Sequence, residues 1–207
     1  MTDLYDVIFK RRDTRHFTSD PVPDEVLQKA LQAGHAAPSV GLSEPTRYYI
    51  VEDADLKLQV KKLFDASREK AEEQISNPDQ LDKHQSLKLE AITSAPIGLV
   101  IATDESVLDE YVIGTIGTKE TLAWSTACAI QNIWLSLTEQ GYSMGWVSIL
   151  DYIAFKELLN LPESVKPLGY FCIGKPADDY DNRPMLETHN WKRKSSAPHV
   201  VKITQGL

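Results

Sequence analysis

Cysteine is nearly absent. Its two copies, Cys128 and Cys172, lie in apolar runs with no CxxC and no histidine at ligand spacing. A disulfide framework is therefore excluded as an organising device, and both thiols are expected to be buried and reduced. The histidines His16, His35, His84, His189 and His199 form no HExxH or comparable pair, so no metal site is expected. There is no P-loop, Gly114-Thr115-Ile116-Gly117 is not a GxGxxG fingerprint, and no GxSxG elbow occurs. Nucleoside triphosphate, dinucleotide and serine-hydrolase sites of those kinds fall away together. No apolar run approaches the ~18 residues of a membrane span, and the N-terminal residues, with Asp3 and Asp6, carry no signal-peptide pattern. Positive charge is outweighed, 22 lysines and arginines facing 30 acids. A net charge of -8 and a pI near 5.1 argue against nucleic-acid or anionic-membrane partners. The expected location is the cytoplasm.

One cluster of positive charge stands out. Arg11-Arg12-Asp13-Thr14-Arg15 places three cations and a carboxylate directly behind a segment in which Leu4 with Ile8 and Tyr5 with Phe9 fall at helical spacing. Cations are favoured at a helix C-terminus, so a charged cap explains the run. An anion clamp explains it equally well, because arginine forks grip phosphate bidentately. An isolated basic site on an acidic chain suits a small anionic ligand. Trp191-Lys192-Arg193-Lys194 is a second basic run, whose plainest reading is a solvated tail.

With 207 residues, 42% of them hydrophobic and 25% charged, the chain reads as a single domain over residues 1–207. A proline and acids near residues 21–25 announce a helix that Pro38 ends. Arg47 to Val51 reads as a strand. Leu56 to Ala91 is polar, broken at Asn77-Pro78-Asp79 into two helical pieces, with too few apolar residues to anchor it firmly. Pro96 to Ala102 reads as a central strand, and Lys119 to Glu139 as a helix apolar on most faces. Such a helix belongs in the middle of a domain or against a second subunit. A strand from Gly145 to Leu150, a helix from Ile153 to Leu159 and a strand from Leu168 to Gly174 follow. Val200-Val201-Lys202-Ile203 needs a sheet edge to pair with. The element order lacks strict βαβ alternation, which makes the class α+β.

Taken alone, Ser39 in the helix-ending turn His35 to Gly41, Ser148 at a strand end and Lys88 among leucines each have ordinary structural explanations. Together with the basic run they carry a resemblance. Arg11-Arg12-Asp13-Thr14-Arg15-His16-Phe17, Ala37-Pro38-Ser39-Val40-Gly41, Ser86-Leu87-Lys88-Leu89-Glu90, Cys128 to Leu135 and Gly145-Trp146-Val147-Ser148-Ile149 resemble, in order, the FMN-dependent nitroreductase superfamily. Within it they look most like the BluB-type branch, the oxygen-dependent 5,6-dimethylbenzimidazole synthases. The resemblance implies a nitroreductase-like fold with a central mixed sheet flanked by helices, in a domain-swapped homodimer with FMN at the subunit interface. It assigns Arg11, Arg12 and Arg15, with Lys192 and Lys194, to the FMN phosphate and ribityl chain. Lys88, Ser39 and Val147 become further flavin contacts, and Asp13 and Ser148 the catalytic pair where reduced FMN meets dioxygen. Electrons would come from NAD(P)H or an external flavin reductase. Glu44-Pro45-Thr46 and the stretch from Thr115 to Trp124 depart from the branch's usual residues, so the substrate side of the pocket differs. An NAD(P)H-dependent nitro- or quinone-reductase and a non-catalytic flavin-binding protein are the alternatives.

Overall fold

The computed structural model describes residues 3–177 and 183–203. Helix α1 (Leu4–Lys10) starts at Asp3, whose carboxylate accepts from the Tyr5 amide. Helix α2 (Asp24–His35) follows Pro23 and buries Val26, Leu27, Ala30 and Gly34, one face at helical spacing. Strand β1 (Thr46–Val51) leads through the cap Asp53 into α3 (Ala54–Glu72), and Asn77 caps α4 (Pro78–Ser86). Next come β2 (Ile97–Asp104), α5 (Glu120–Glu139), β3 (Ser143–Val147), α6 (Tyr152–Leu158), β4 (Val165–Gly174) and the short α7 (Met185–Thr188).

The four strands form one sheet in the order β1-β2-β4-β3, and all three ladders are antiparallel. The sheet expected to be mixed has one parallel element, an isolated bridge between Asp13 and Met144. Alternation along each strand sorts side chains to two faces. On one, Leu99, Ile101, Phe171 and Ile173 pack with Ala30 of α2 and Ile130, Ile133 and Leu137 of α5. On the other, Val100, Tyr170 and Cys172 pack with Val60 and Phe64 of α3 and Phe155 of α6. Gly98 is required here by space, because a β-carbon would fall on the Tyr170 ring and hydroxyl.

Several expectations need correction. The polar excursion has firmer anchors than its composition suggests. Val60, Phe64, Leu87, Ala91 and Ile92 are buried, and the Lys57 ammonium donates to Ala95 O (3.0 Å) and Pro96 O (2.7 Å). Strand β3 stops at Val147, since the Leu150 amide turns back to Ser148 O and Asp151 caps α6. Cys172 is buried, but Cys128 is exposed. It lies on an outward face of α5 with Trp124 and Ala127, so one apolar face of that helix is uncovered in the single chain. Val200, Val201 and Ile203 are exposed and form no strand.

Candidate active site

The basic run leaves α1 in extended conformation and ties itself to β3. The Thr14 amide donates to Met144 O (3.1 Å), and the Thr14 and Ser143 hydroxyls meet at 2.6 Å. In an extended segment residues i and i+2 share a side, so Asp13 and Arg15 face each other while Thr14 points away. The Arg15 guanidinium grips Asp13 bidentately, at 2.5 and 2.7 Å, and donates to Trp146 O at 2.8 Å. The Trp146 amide donates to the same carboxylate at 2.9 Å. Gly145 makes this approach possible, because a β-carbon there would collide with Thr14 O and the Arg15 guanidinium. Arg15 is 6% exposed, and its Nε is buried with no hydrogen-bond partner. Arg15 is therefore not part of an open three-arginine clamp. Its fork is occupied by Asp13 and the strand.

Arg11 and Arg12 sit differently. The Arg11 guanidinium lies 4.6 Å from the centre of the Trp134 ring, a cation–π distance. Burial lowers the Arg11 pKa, Asp13 opposes the shift and Arg12 adds to it. Arg12 donates to Phe9 O and Arg11 O, both at 2.7 Å, so it caps α1, while Trp134 Nε1 donates to Arg12 O (3.2 Å). The cap reading thus describes Arg12, whereas Arg11 lies against Trp134 on the cavity wall. Beside it opens a cavity of 790 Å³ whose walls include Arg11, Arg12, Asp13, Gln131, α7 and Lys194. Lys192 is exposed and off this wall.

The remaining residues lie around the cluster. Val147 is 1% exposed, so it presents only main chain. Ser148 is exposed, two positions beyond the residue that holds Asp13. Lys88 is exposed in the segment after α4, with no hydrogen bond or ion pair among the described residues. Ser39 lies elsewhere, in a turn tied to the first half of α5 by the bond from the Val40 amide to Ser125 Oγ (3.0 Å). Its hydroxyl accepts from the Glu44 amide at 3.2 Å. From Ser125 to Trp134 is roughly 13 Å along the helix. The Ser39 turn holds Leu42 at φ 53° and Glu44 at φ 46°, a left-handed conformation costly for such residues and concentrated at functional loops.

Sequence reasoning missed three contributors. Trp146 acts through its main chain, Trp134 through its ring face and indole N–H, and Gly145 through the side chain it lacks. Only the glycine left a visible signal, sitting inside an apolar strand.

Residues 8–175 match the sequence model of the Nitroreductase family. The chain belongs to the nitroreductase family. It is 33% identical over 201 residues to 5,6-dimethylbenzimidazole synthase of Rhodospirillum rubrum, covering 96% of this chain and 93% of that one. A Rhodobacter capsulatus enzyme of the same name is 33% identical over 189 residues, 91% of this chain and 90% of the relative. Among solved structures, oxidized iodotyrosine deiodinase bound to FMN and 3-iodo-L-tyrosine superposes with a TM-score of 0.73 at 22% identity, covering 99% of this chain and 100% of that one. This nitroreductase-family protein is an FMN-dependent oxidoreductase. Its own residues fit such a cofactor. The cavity falls within the ~300–1,000 Å³ typical of ligand sites, and Arg11, Arg12 and Lys194 on its wall supply cations for a phosphate. No helix of the described residues is long and apolar enough to cross a membrane.

Proposed function

We propose that this protein is BluB-like in its flavin site and uses reduced FMN with dioxygen. The observation that carries the reading is Asp13, a half-exposed carboxylate fixed at the cavity wall by Arg15 and the Trp146 amide. FMN, when bound, supplies the redox chemistry. Arg11, Arg12 and Lys194 hold its phosphate, Arg15 orients Asp13, and Asp13 takes up or returns a proton beside it. Ser148, exposed just beyond β3, is the hydroxyl assigned to the oxygen step by the family resemblance. Lys88 and Lys192, both exposed and off the cavity wall, are assigned to the cofactor by the family resemblance alone.

The functional unit is a homodimer. The uncovered face of α5 (Trp124, Ala127, Cys128) and the exposed apolar residues Leu4, Tyr5 and Phe9 of α1 give it an apolar contact surface. The unpaired residues Val200 to Ile203 supply a strand for the partner's open β1 edge, the swap that the family resemblance implies. Ser39, remote from the cavity of its own chain, then serves the partner's site. The two free thiols support a cytoplasmic location.

Stopped-flow mixing of the flavoprotein with NAD(P)H, and separately of the chemically reduced protein with dioxygen, tests the reaction. Slow reduction by NAD(P)H with a productive oxygen reaction is expected, the electrons then coming from an external flavin reductase. Rapid reduction by NAD(P)H makes it a nitro- or quinone-reductase, and neither reaction makes it a flavin carrier. Arg11→Ala should cost about 1.5–3 kcal/mol of FMN affinity, and riboflavin should bind far more weakly than FMN.

A further inference from the structure

The tail beyond residue 183 touches two parts of the molecule that the sequence leaves unconnected. Helix α7 ends in a tight turn: the His189 amide donates to Met185 O, the Trp191 amide to Leu186 O at 2.8 Å, and Asn190 takes φ 55°. Asparagine tolerates that left-handed angle better than most residues, so the turn is built into the sequence. The turn divides its side chains. Met185, Leu186 and Glu187, with Lys194 beyond, line the cavity beside Arg11 and Arg12. Trp191 instead packs on His84 of α4, ring centres 6.0 Å apart and planes tilted by 56°.

His84 is buried and wired into α3. Its Nδ1 lies 3.1 Å from Glu72 Oε1. Glu72 also accepts from Arg68 Nε (2.9 Å) and Gln85 Nε2 (3.1 Å), and Arg68 donates to His84 O and Gln85 O. The Gln85 and Arg68 hydrogen bonds lower the Glu72 pKa, as expected for an ionised hub. Lys88 follows His84 by four residues, and between them only Leu87 is buried.

We propose that Trp191 is a positioning residue that couples the cavity wall to the end of α4, so that filling the phosphate end of the cavity fixes the segment bearing Lys88. Trp191 is the tail residue in ring contact with α4, while α7 itself faces the cavity. The ligand in this inference rests on the flavin reading, whereas the Trp191–His84 contact does not.

Hydrogen exchange of the dimeric protein separates the two. In flavin-free protein, Trp191→Ala should speed exchange in residues 78–90 roughly fivefold or more, while α2 keeps its wild-type rate; Trp191→Phe should restore protection. In wild type, FMN should protect both residues 185–191 and 78–90. In Trp191→Ala, it should protect only the first. Unchanged exchange in residues 78–90 of flavin-free Trp191→Ala, or FMN protection there that survives the substitution, overturns the proposal. Wild type that binds no FMN sinks the flavin reading instead, and the flavin-free comparison still decides the coupling.

Discussion

Replacing Asp13 by asparagine keeps the side-chain shape and removes the charge. The carboxylate accepts from Arg15 through both oxygens and from the Trp146 amide. Asparagine retains one acceptor oxygen and turns an NH2 toward the guanidinium, so at least one charge-assisted bond is lost. Such a bond is worth about 1.5–3 kcal/mol when buried. The Asp13 side chain is 46% exposed against 7% for Arg15, and solvent screening on the exposed side brings the expectation to about 1 kcal/mol. Urea unfolding of flavin-free protein should show it as a midpoint lowered by roughly 0.5 M with the slope unchanged. Arg15→Met leaves the carboxylate in solvent, and combined with Asp13→Asn it should cost less than the sum of the single changes. Turnover of the FMN-loaded Asp13→Asn enzyme should fall by about 100-fold while FMN is retained. Full turnover with lowered stability would make Asp13 only a structural partner of Arg15, and hydride transfer without an acid–base group would become the better account. Unchanged stability and turnover together would refute the reasoning from the ion pair altogether.

Two further outcomes follow from buried and uncovered thiols. Cys128 is exposed in the single chain but lies on the face assigned to the dimer, so a thiol reagent should label it slowly in concentrated protein and readily on dilution below the dissociation range; fast labelling at every concentration would exclude that face from the interface. Burial pushes the Cys172 thiol up to about 12 and the Tyr48 hydroxyl up to about 12, so the folded protein holds protons that the unfolded chain releases. Stability should be full below about pH 9 and fall as pH rises toward 12, Cys172 alone contributing a slope of about 1.4 kcal/mol per pH unit, which Cys172→Ala removes. A urea midpoint that stays flat from pH 9 to 11 would contradict this.

The elements that periodicity marks, such as α2 and α5 and the apolar run of β2, stand where the sequence puts them, because each buries a face that local spacing defines. Strand direction was not legible, since pairing is non-local and no motif records it. The core status of Cys128 failed for a related reason: an apolar face left exposed reads the same in sequence as one packed inside. At the site, the spacing Arg11-Arg12-Asp13-Thr14-Arg15 suggested three equal cations. The run is helical at its start and extended at its end, and that change of period hands Arg12 to a helix end and Arg15 to Asp13. Gly145 and Trp146 complete the arrangement through main chain, which side-chain motifs do not report.

The bonds that fix Asp13 and Arg15 have a consequence for how the protein can assemble. Met144 O, Trp146 N and Trp146 O all point away from β4, and all three are taken by residues 13–15. One margin of the sheet is thereby sealed by residues 13–15, leaving β1 as the margin able to accept a foreign strand. A sheet with a single open margin cannot be extended from both sides, so the proposed exchange of tails would use up every open margin in a pair of chains and stop growth at two. Loss of the Asp13 carboxylate would free only the Trp146 amide of that margin, with the Thr14 amide and the Arg15 guanidinium still covering Met144 O and Trp146 O.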